Sequence, residues 1–315
     1  MRTVEEANIP AKNYYVAGKV LSRQQMQFYH ENGYIVLKRY ISPKDLEKYR
    51  NRFNDICDGK NVPKDMTIMR DVSYAAMKKP AVERTVLKVQ DFNNDPIMFS
   101  YCKTPQIVEV VQDLIGTPNS TLMAMHGMLI NKPPDAGNLS TRHPMHQDSH
   151  FFPFRPVDYV CCAWTAMEKV NRANGCLVVV PGTHRLPLLE HGYPKWEGGV
   201  NKAFYGVTDF DPNSPRVHLE MEAGDTVFFH PNLLHGSGAN RTEGFRKAIS
   251  CHYANGSVCD YIDVGGTNQE QVEKVMMDVL KARSQRLGLP YDANWKLKDL
   301  WRGRARPVLG QRARL

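Results

Sequence analysis

The chain has 315 residues, 42% hydrophobic and 23% charged, with 20 prolines and 22 glycines, a balance that excludes disorder, collagen or coiled coil as its main state. Its length fits one large barrel with added elements as well as two ordinary domains. The net charge of +8 is local: residues 281–315 carry ten Lys and Arg against two acids, leaving 31 of each sign before them, which argues against a nucleic-acid surface.

That basic end reads most simply as a solvated tail, although Arg302, Arg304 and Arg306 could meet the phosphates of a ligand. No uncharged apolar run approaches the roughly 18 residues of a membrane span; the best, 121–130, contains His126. Seven cysteines form no C-x-x-C pair and sit in apolar runs such as Val160-Cys161-Cys162-Ala163-Trp164. Reduced thiols in an intracellular setting are the expectation. The first residues, Met-Arg-Thr-Val-Glu-Glu, hold no apolar signal segment.

Helices are predicted first. Ser22 and Gln25 form a capping box for a helix stopping near Gly33, and a short strand follows over 34–37. Ser42-Pro43-Lys44-Asp45 begins a helix to about Cys57, and Thr104-Pro105 begins another that ends before Gly116. From Thr121 the pattern changes to short apolar runs at 121–130, 158–167, 175–180, 216–221, 226–230 and 247–253. Asn174-Gly175 and Gly224-Asp225 supply turns. This spacing predicts a sandwich or jelly roll. Thr267 and Glu270 are expected to cap a final helix through about Ser284. The organisation expected is therefore 1–120 as helical elements, 121–255 as the β core and 256–315 as a helix and tail, all in one integrated domain.

Within the β region, His146-Gln147-Asp148 places an imidazole and a carboxylate two residues apart, hence on one face if extended. His235 follows the Gly224-Asp225 turn, an apolar strand and Pro231, and Arg246 lies eleven residues later. Two histidines and one carboxylate with open positions form the ligand set of non-haem Fe(II) oxygenases. A guanidinium nearby can grip a carboxylate through two parallel hydrogen bonds. Taken singly, each histidine is more simply a structural imidazole. His150 shares the expected strand face and is a rival ligand, while His126, His143, His184, His230 and His252 also fall in this region.

Joined in order, these residues resemble the phytanoyl-CoA dioxygenase family, Fe(II)- and 2-oxoglutarate-dependent hydroxylases on a double-stranded β-helix. The resemblance runs through His143-Pro-Met-His-Gln-Asp148, Phe152-Pro-Phe-Arg-Pro156, Cys162-Ala-Trp-Thr-Ala-Met-Glu168, Asn174-Gly-Cys-Leu-Val-Val-Val180, the segment 193–202 and Gly244-Phe-Arg-Lys-Ala-Ile-Ser-Cys-His252. It covers about residues 15–310. It implies His146, Asp148 and His235 as iron ligands, and Arg246 with Ser237 on the distal carboxylate of 2-oxoglutarate. Lys88, Met128, Gln147 and Trp164 match further positions around the cosubstrate. By themselves Lys88 would be a surface lysine, and Met128 and Trp164 plain core.

The resemblance further implies O2 as co-reactant, L-ascorbate as reductant and hydroxylation of carbon 2 of a 3-methyl-branched acyl-CoA in fatty-acid α-oxidation. Ala313-Arg314-Leu315 has the small–basic–Leu form read by the peroxisomal import receptor, which predicts a peroxisomal protein. Two alternatives stay open at this stage. One is a hydroxylase of a small non-CoA substrate. The other is a non-catalytic cupin-like metal module, although a structural zinc site would normally close with four ligands.

Overall fold

The computed structural model describes residues 14, 16–70, 86–135, 137, 141–193, 204–311 and 315. Among the described residues the strands run in chain order: β1 (Tyr34–Leu37), β2 (Thr67–Arg70), β3 (Val86–Gln90), β4 (Leu122–Lys132), β5 (His143–His146), β6 (Phe154–Arg155), β7 (Val160–Ala166), β8 (Leu177–Val179), β9 (His191–Gly192), β10 (Gly206–Val207), β11 (Val217–Leu219), β12 (Thr226–Phe229), β13 (His235–Ser237), β14 (Arg246–Asn255), β15 (Asp260–Tyr261) and β16 (Arg306–Leu309). The large sheet has the order β1-β12-β7-β14-β4-β3-β2, with β16 beside β4. The smaller one has the order β11-β8-β13-β5. All their pairings are antiparallel. Two antiparallel sheets facing one another make the double-stranded β-helix, a jelly roll. The fold is mainly β with flanking helices.

The local signals act as expected in the first third. Ser22 and Gln25 close a reciprocal capping box on helix 23–32, which ends at Gly33 in the left-handed region. Ser42 caps the helix Pro43–Cys57, and a helix Pro105–Ile115 follows Thr104. A helix at Pro96–Cys102 was not expected; Asp95 caps it by accepting from the Ile97 and Met98 backbone N–H groups.

Alternation along the central strands builds two cores at once. Cys161, Ala163, Phe228, Ile249, Cys251 and Tyr253 pack outward against helix residues such as Tyr49, Phe53, Tyr101 and Val111. Cys162, Trp164, Val227, Phe229 and Ala248 pack inward against Leu177, Val179 and Leu233 of the small-sheet side. The Gly224-Asp225 turn fastens the edge strand. Buried Asp225 accepts from the Arg39 and Glu222 backbone N–H groups and pairs with Lys38 at 2.9 Å.

The C-terminal third departs from expectation. The helix that starts at Glu270 runs to Leu287, and the Thr267 hydroxyl accepts from the Gln269 N–H rather than capping the helix itself. It is not the last helix. Leu297–Arg304 forms another, and β16 then pairs with β4. Trp301 anchors this segment, 1% exposed against Phe152, Phe154 and His126. The basic end is therefore folded down to residue 309 rather than a solvated tail, because burying one tryptophan outweighs the charges around it. Those charges also have partners: Arg304 pairs with Asp91 at 2.8 Å, Arg302 with Asp299 at 2.9 Å, and Arg306 donates to the Gly303 and Ala305 carbonyls. Ala313 and Arg314 lie outside the described residues, and Leu315 is buried in the Trp301 cluster.

All seven cysteines are buried, and none forms a disulfide. Among the described residues no helix is long and apolar enough to cross a membrane.

Candidate metal and cosubstrate site

Antiparallel pairing brings the two predicted histidine ligands together. His146, the last residue of β5, is the Cα partner of His235, the first of β13. Gln147 continues in extended conformation, so Asp148 returns to the same side as His146. His146 Nε2 lies 3.2 Å from Asp148 Oδ1, and His235 Nε2 lies 3.6 Å from Asp148 Oδ2. Ligand atoms of His146, Asp148 and His235 all fall within 4.8 Å of one another.

The tautomers suit metal binding. Nδ1 of His146 is 2.8 Å from the Pro144 carbonyl, and Nδ1 of His235 is 2.9 Å from the Leu233 carbonyl. A carbonyl only accepts, so each Nδ1 carries the proton and each Nε2 presents its lone pair toward Asp148. Burial pushes His235 down to about 4, with His146 adding to it, which keeps the imidazole neutral. Burial opposes the charge on Asp148, yet neighbouring His235 and His252, with the hydrogen bond from His252, hold its carboxyl well below the usual range.

His150 is not brought in. Asp148–Phe151 is a 3-10 turn rather than strand, so the expected period of two fails after Asp148. The His150 ring stacks on His191 with centroids 4.3 Å apart. Gln147 also leaves the site. Its Nε2 donates to the Pro187 and Asn232 carbonyls and its Oε1 accepts from Leu189 N–H, so the fully buried side chain braces the wall and has no donor left for a cosubstrate.

The other predicted positions converge on one cavity lined by Lys88, Met128, Trp164, Ser237 and Arg246 as well as the three ligand candidates. Sheet register explains it. Even-numbered residues of β14 face inward, and Arg246, Ser250 and His252 all line the cavity. Ser250 pairs with Trp164 on one side and Met128 on the other, and Lys88 of β3 pairs with Ile130. The Arg246 guanidinium lies 5.5 Å over the Trp164 ring and donates through Nη2 to the Gly175 carbonyl at 2.9 Å. Gly175 has φ +79°, and a Cβ there would stand 2.5 Å from the Gly238 oxygen, so the predicted turn requires glycine.

Arg246 carries the clearest demand for a ligand. It is 2% exposed, and its Nε and Nη1 are buried without a hydrogen-bond partner. Burial pushes it down to about 10, still charged at neutral pH. A buried guanidinium that lines a cavity and has two N–H nitrogens without partners fits a carboxylate. Lys88 adds a cation at the rim: half-buried, 4.6 Å from the Phe204 ring centroid, and pushed down to about 8 by burial. The donor set and the two unpartnered nitrogens of Arg246 thus fit a divalent metal with a dicarboxylate cosubstrate.

Sequence reasoning overlooked three contributors. His252 had been set among the structural imidazoles without a particular partner, yet its Nε2 is 2.8 Å from Asp148 Oδ2. His143 stacks on His146 at 4.1 Å and lines the cavity. Lys132 also lines it, and continuing the period of two from Met128 and Ile130 would have found it.

A jelly roll carrying two histidines, a carboxylate and a buried arginine with two unpartnered nitrogens around one cavity defines a dioxygenase of the double-stranded β-helix class. Within that class, the family model described as phytanoyl-CoA dioxygenase matches residues 29–248, and the chain belongs to that family. It is 56% identical to a probable phytanoyl-CoA dioxygenase of Caenorhabditis elegans, over 96% of this chain and 98% of that one. It is 51% identical to the human protein named phytanoyl-CoA dioxygenase, peroxisomal, over 96% of this chain and 87% of that one. Among solved structures, the epimerase SnoN in complex with Fe3+, alpha ketoglutarate and nogalamycin RO aligns with a TM-score of 0.59 at 22% identity. That alignment covers 77% of this chain and 86% of SnoN and demonstrates the shared fold.

Proposed function

We propose that this dioxygenase uses Fe(II), 2-oxoglutarate and O2 to hydroxylate carbon 2 of a 3-methyl-branched acyl-CoA such as phytanoyl-CoA, releasing the 2-hydroxyacyl-CoA, succinate and CO2. The observation that carries the reading is Arg246, buried and charged with Nε and Nη1 unpartnered, in the same cavity as His146, Asp148 and His235. The acyl-CoA follows from the names of the relatives at 51% and 56% identity.

In this reading His146, Asp148 and His235 hold the iron, which supplies the capacity to activate O2 when bound. Arg246 and Ser237 hold the distal carboxylate, and Lys88 adds positive charge at the rim. Trp164 packs against the guanidinium face and fixes its plane. Met128, Ile130, Leu177 and Phe229 keep the cavity apolar, which strengthens these charge contacts and excludes water. L-ascorbate serves as reductant. The setting is the peroxisome, supported by the names of the vertebrate relatives and by the form of Ala313-Arg314-Leu315, from which Leu315 would leave the Trp301 cluster to meet the import receptor.

The test is an assay of the purified full chain with Fe(II), 2-oxoglutarate, O2 and either phytanoyl-CoA or free phytanic acid. Succinate and 2-hydroxyphytanoyl-CoA should form in equal amounts from the thioester. Asp148→Ala should abolish both, since two neutral imidazoles hold Fe(II) poorly. Turnover of the free acid alone would replace acyl-CoA by a non-CoA substrate.

A further inference from the structure

Lys132 ends β4 and is the direct cross-strand partner of Arg246. The two side chains are 6% and 2% exposed, and both line the cavity. Like charges placed opposite one another on a sheet are unfavourable, and burial makes them more so. Among the described residues neither is ion-paired with a carboxylate. Lys132 Nζ instead donates to Ser237 Oγ at 2.7 Å and to the Gly238 carbonyl at 2.5 Å. The fold thus holds two adjacent buried cations with neutral partners only.

The direction of the Ser237 bond has a consequence. An ammonium has three donors and no acceptor, so Ser237 Oγ must accept from Lys132. The Ser237 hydroxyl proton is left to donate elsewhere, and Ser237 lines the cavity beside Arg246. The stem of Lys132 reaches this place past Gly175, whose missing Cβ would lie 3.1 Å from Lys132 Cδ. Gly175 also receives Arg246 Nη2, so one glycine turn seats both cations.

We infer that Lys132 is a positioning residue of the distal carboxylate subsite, turning the Ser237 hydroxyl into a donor and adding a second cation beside Arg246, so that the subsite selects a dicarboxylate. This rests on the 2-oxoglutarate reading above. Burial, then Arg246 and Lys88, hold the Lys132 ammonium well below the usual lysine range, and a bound carboxylate relieves that strain.

The experiment measures binding to the full chain loaded with Mn(II), by calorimetry, for 2-oxoglutarate and for 2-oxopentanoate, which has a methyl group where the distal carboxylate stands. Lys132→Met should weaken 2-oxoglutarate about tenfold, as expected for one charge-assisted contact, and leave 2-oxopentanoate nearly unchanged. Turnover at saturating 2-oxoglutarate should stay near wild type. Lys132→Arg should retain preference for the dicarboxylate, and in a Ser237→Ala background the loss from Lys132→Met should shrink. The melting temperature without cosubstrate should not fall, while the rise on adding 2-oxoglutarate should be smaller. Equal weakening of both ligands, or of neither, would overturn the inference and leave Lys132 a brace for the 237–238 turn. Should Lys132→Met fail to fold, Lys132→Gln is read by the same ratio of affinities. Failure of the wild type to bind 2-oxoglutarate would instead remove the cosubstrate reading together with this one.

Discussion

His252 Nε2 lies 2.8 Å from Asp148 Oδ2, so a strand of the large sheet donates a hydrogen bond to the carboxylate that stands just beyond the small one. The contact orients Asp148 before any metal arrives and helps keep it ionised. Replacing His252 by Phe keeps a ring in the inner core but removes the donor. Groups that orient a metal ligand in this way typically contribute about 10- to 100-fold in affinity. Fe(II) titration under anaerobic conditions should show a loss of that size. His252→Gln, still a donor, should recover part of it. Unaltered metal affinity in His252→Phe would mean that Asp148 is held by its neighbours alone.

Arg246→Met removes the partner of the proposed buried carboxylate. Such truncations cost about 2–5 kcal/mol, or roughly 30- to 5,000-fold in affinity. Half-saturation by 2-oxoglutarate should rise within that range while iron content stays near normal, since Arg246 is not among the metal-ligand candidates. Arg246→Lys should recover only a fraction, because an ammonium lacks the planar fork. A change below about threefold for Arg246→Met would take Arg246 out of the subsite.

Acid should destabilise the fold well above the carboxylate range. Burial holds His126 and His150 at about 3, and His184, His191 and His235 at about 4. These folded-state values lie below the unfolded value of about 6.5. Above that pH both states are neutral and stability is flat. Below it the unfolded chain takes up protons that the folded chain refuses, so stability falls as pH drops toward 4. Each histidine contributes at most about 1.4 kcal/mol per pH unit, less where solvent reaches the ring. Denaturant midpoints for the metal-free protein should be level from pH 8 to 7 and decline from 6.5 to 5. A level profile down to pH 5 would contradict these environments.

Deleting residues 313–315 should block peroxisomal import of a fluorescent fusion and leave hydroxylation measurable in the purified chain. Leu315 is 1% exposed within the Trp301 cluster, so the truncated chain should also melt at a lower temperature. Import that persists without the tripeptide would assign targeting to another segment.

The fold was legible where one local rule dominates. Capping boxes, Pro at helix starts and apolar runs bounded by glycine turns located three helices and seven strands, because each signal lies within a few adjacent residues. The metal ligands were legible for a different reason: His146, Asp148 and His235 become distinctive only as an ordered set with Arg246. Failures occurred where tertiary context chose. His150 obeyed strand spacing in the sequence, but a 3-10 turn intervened. Arg302 and Arg304 looked like solvated charge, but Trp301, just before them, is buried and draws the segment down. His252 was missed because its partner lies 104 residues away, a distance that no local pattern spans, whereas the period of two along β4 reaches Lys132.

The order of the large sheet sets a timetable for the newborn chain. Strand β1 at residues 34–37 pairs with β12 at 226–229, so at ordinary synthesis rates the first strand waits roughly 10 to 40 s for its neighbour to be made. His146 waits likewise for His235, and Arg246 comes later still. Until then the ribosome carries an unpaired apolar edge and half a ligand set. Such long-range closure makes for slow folding, so chaperone supply should govern the yield of active protein during expression more than added iron does.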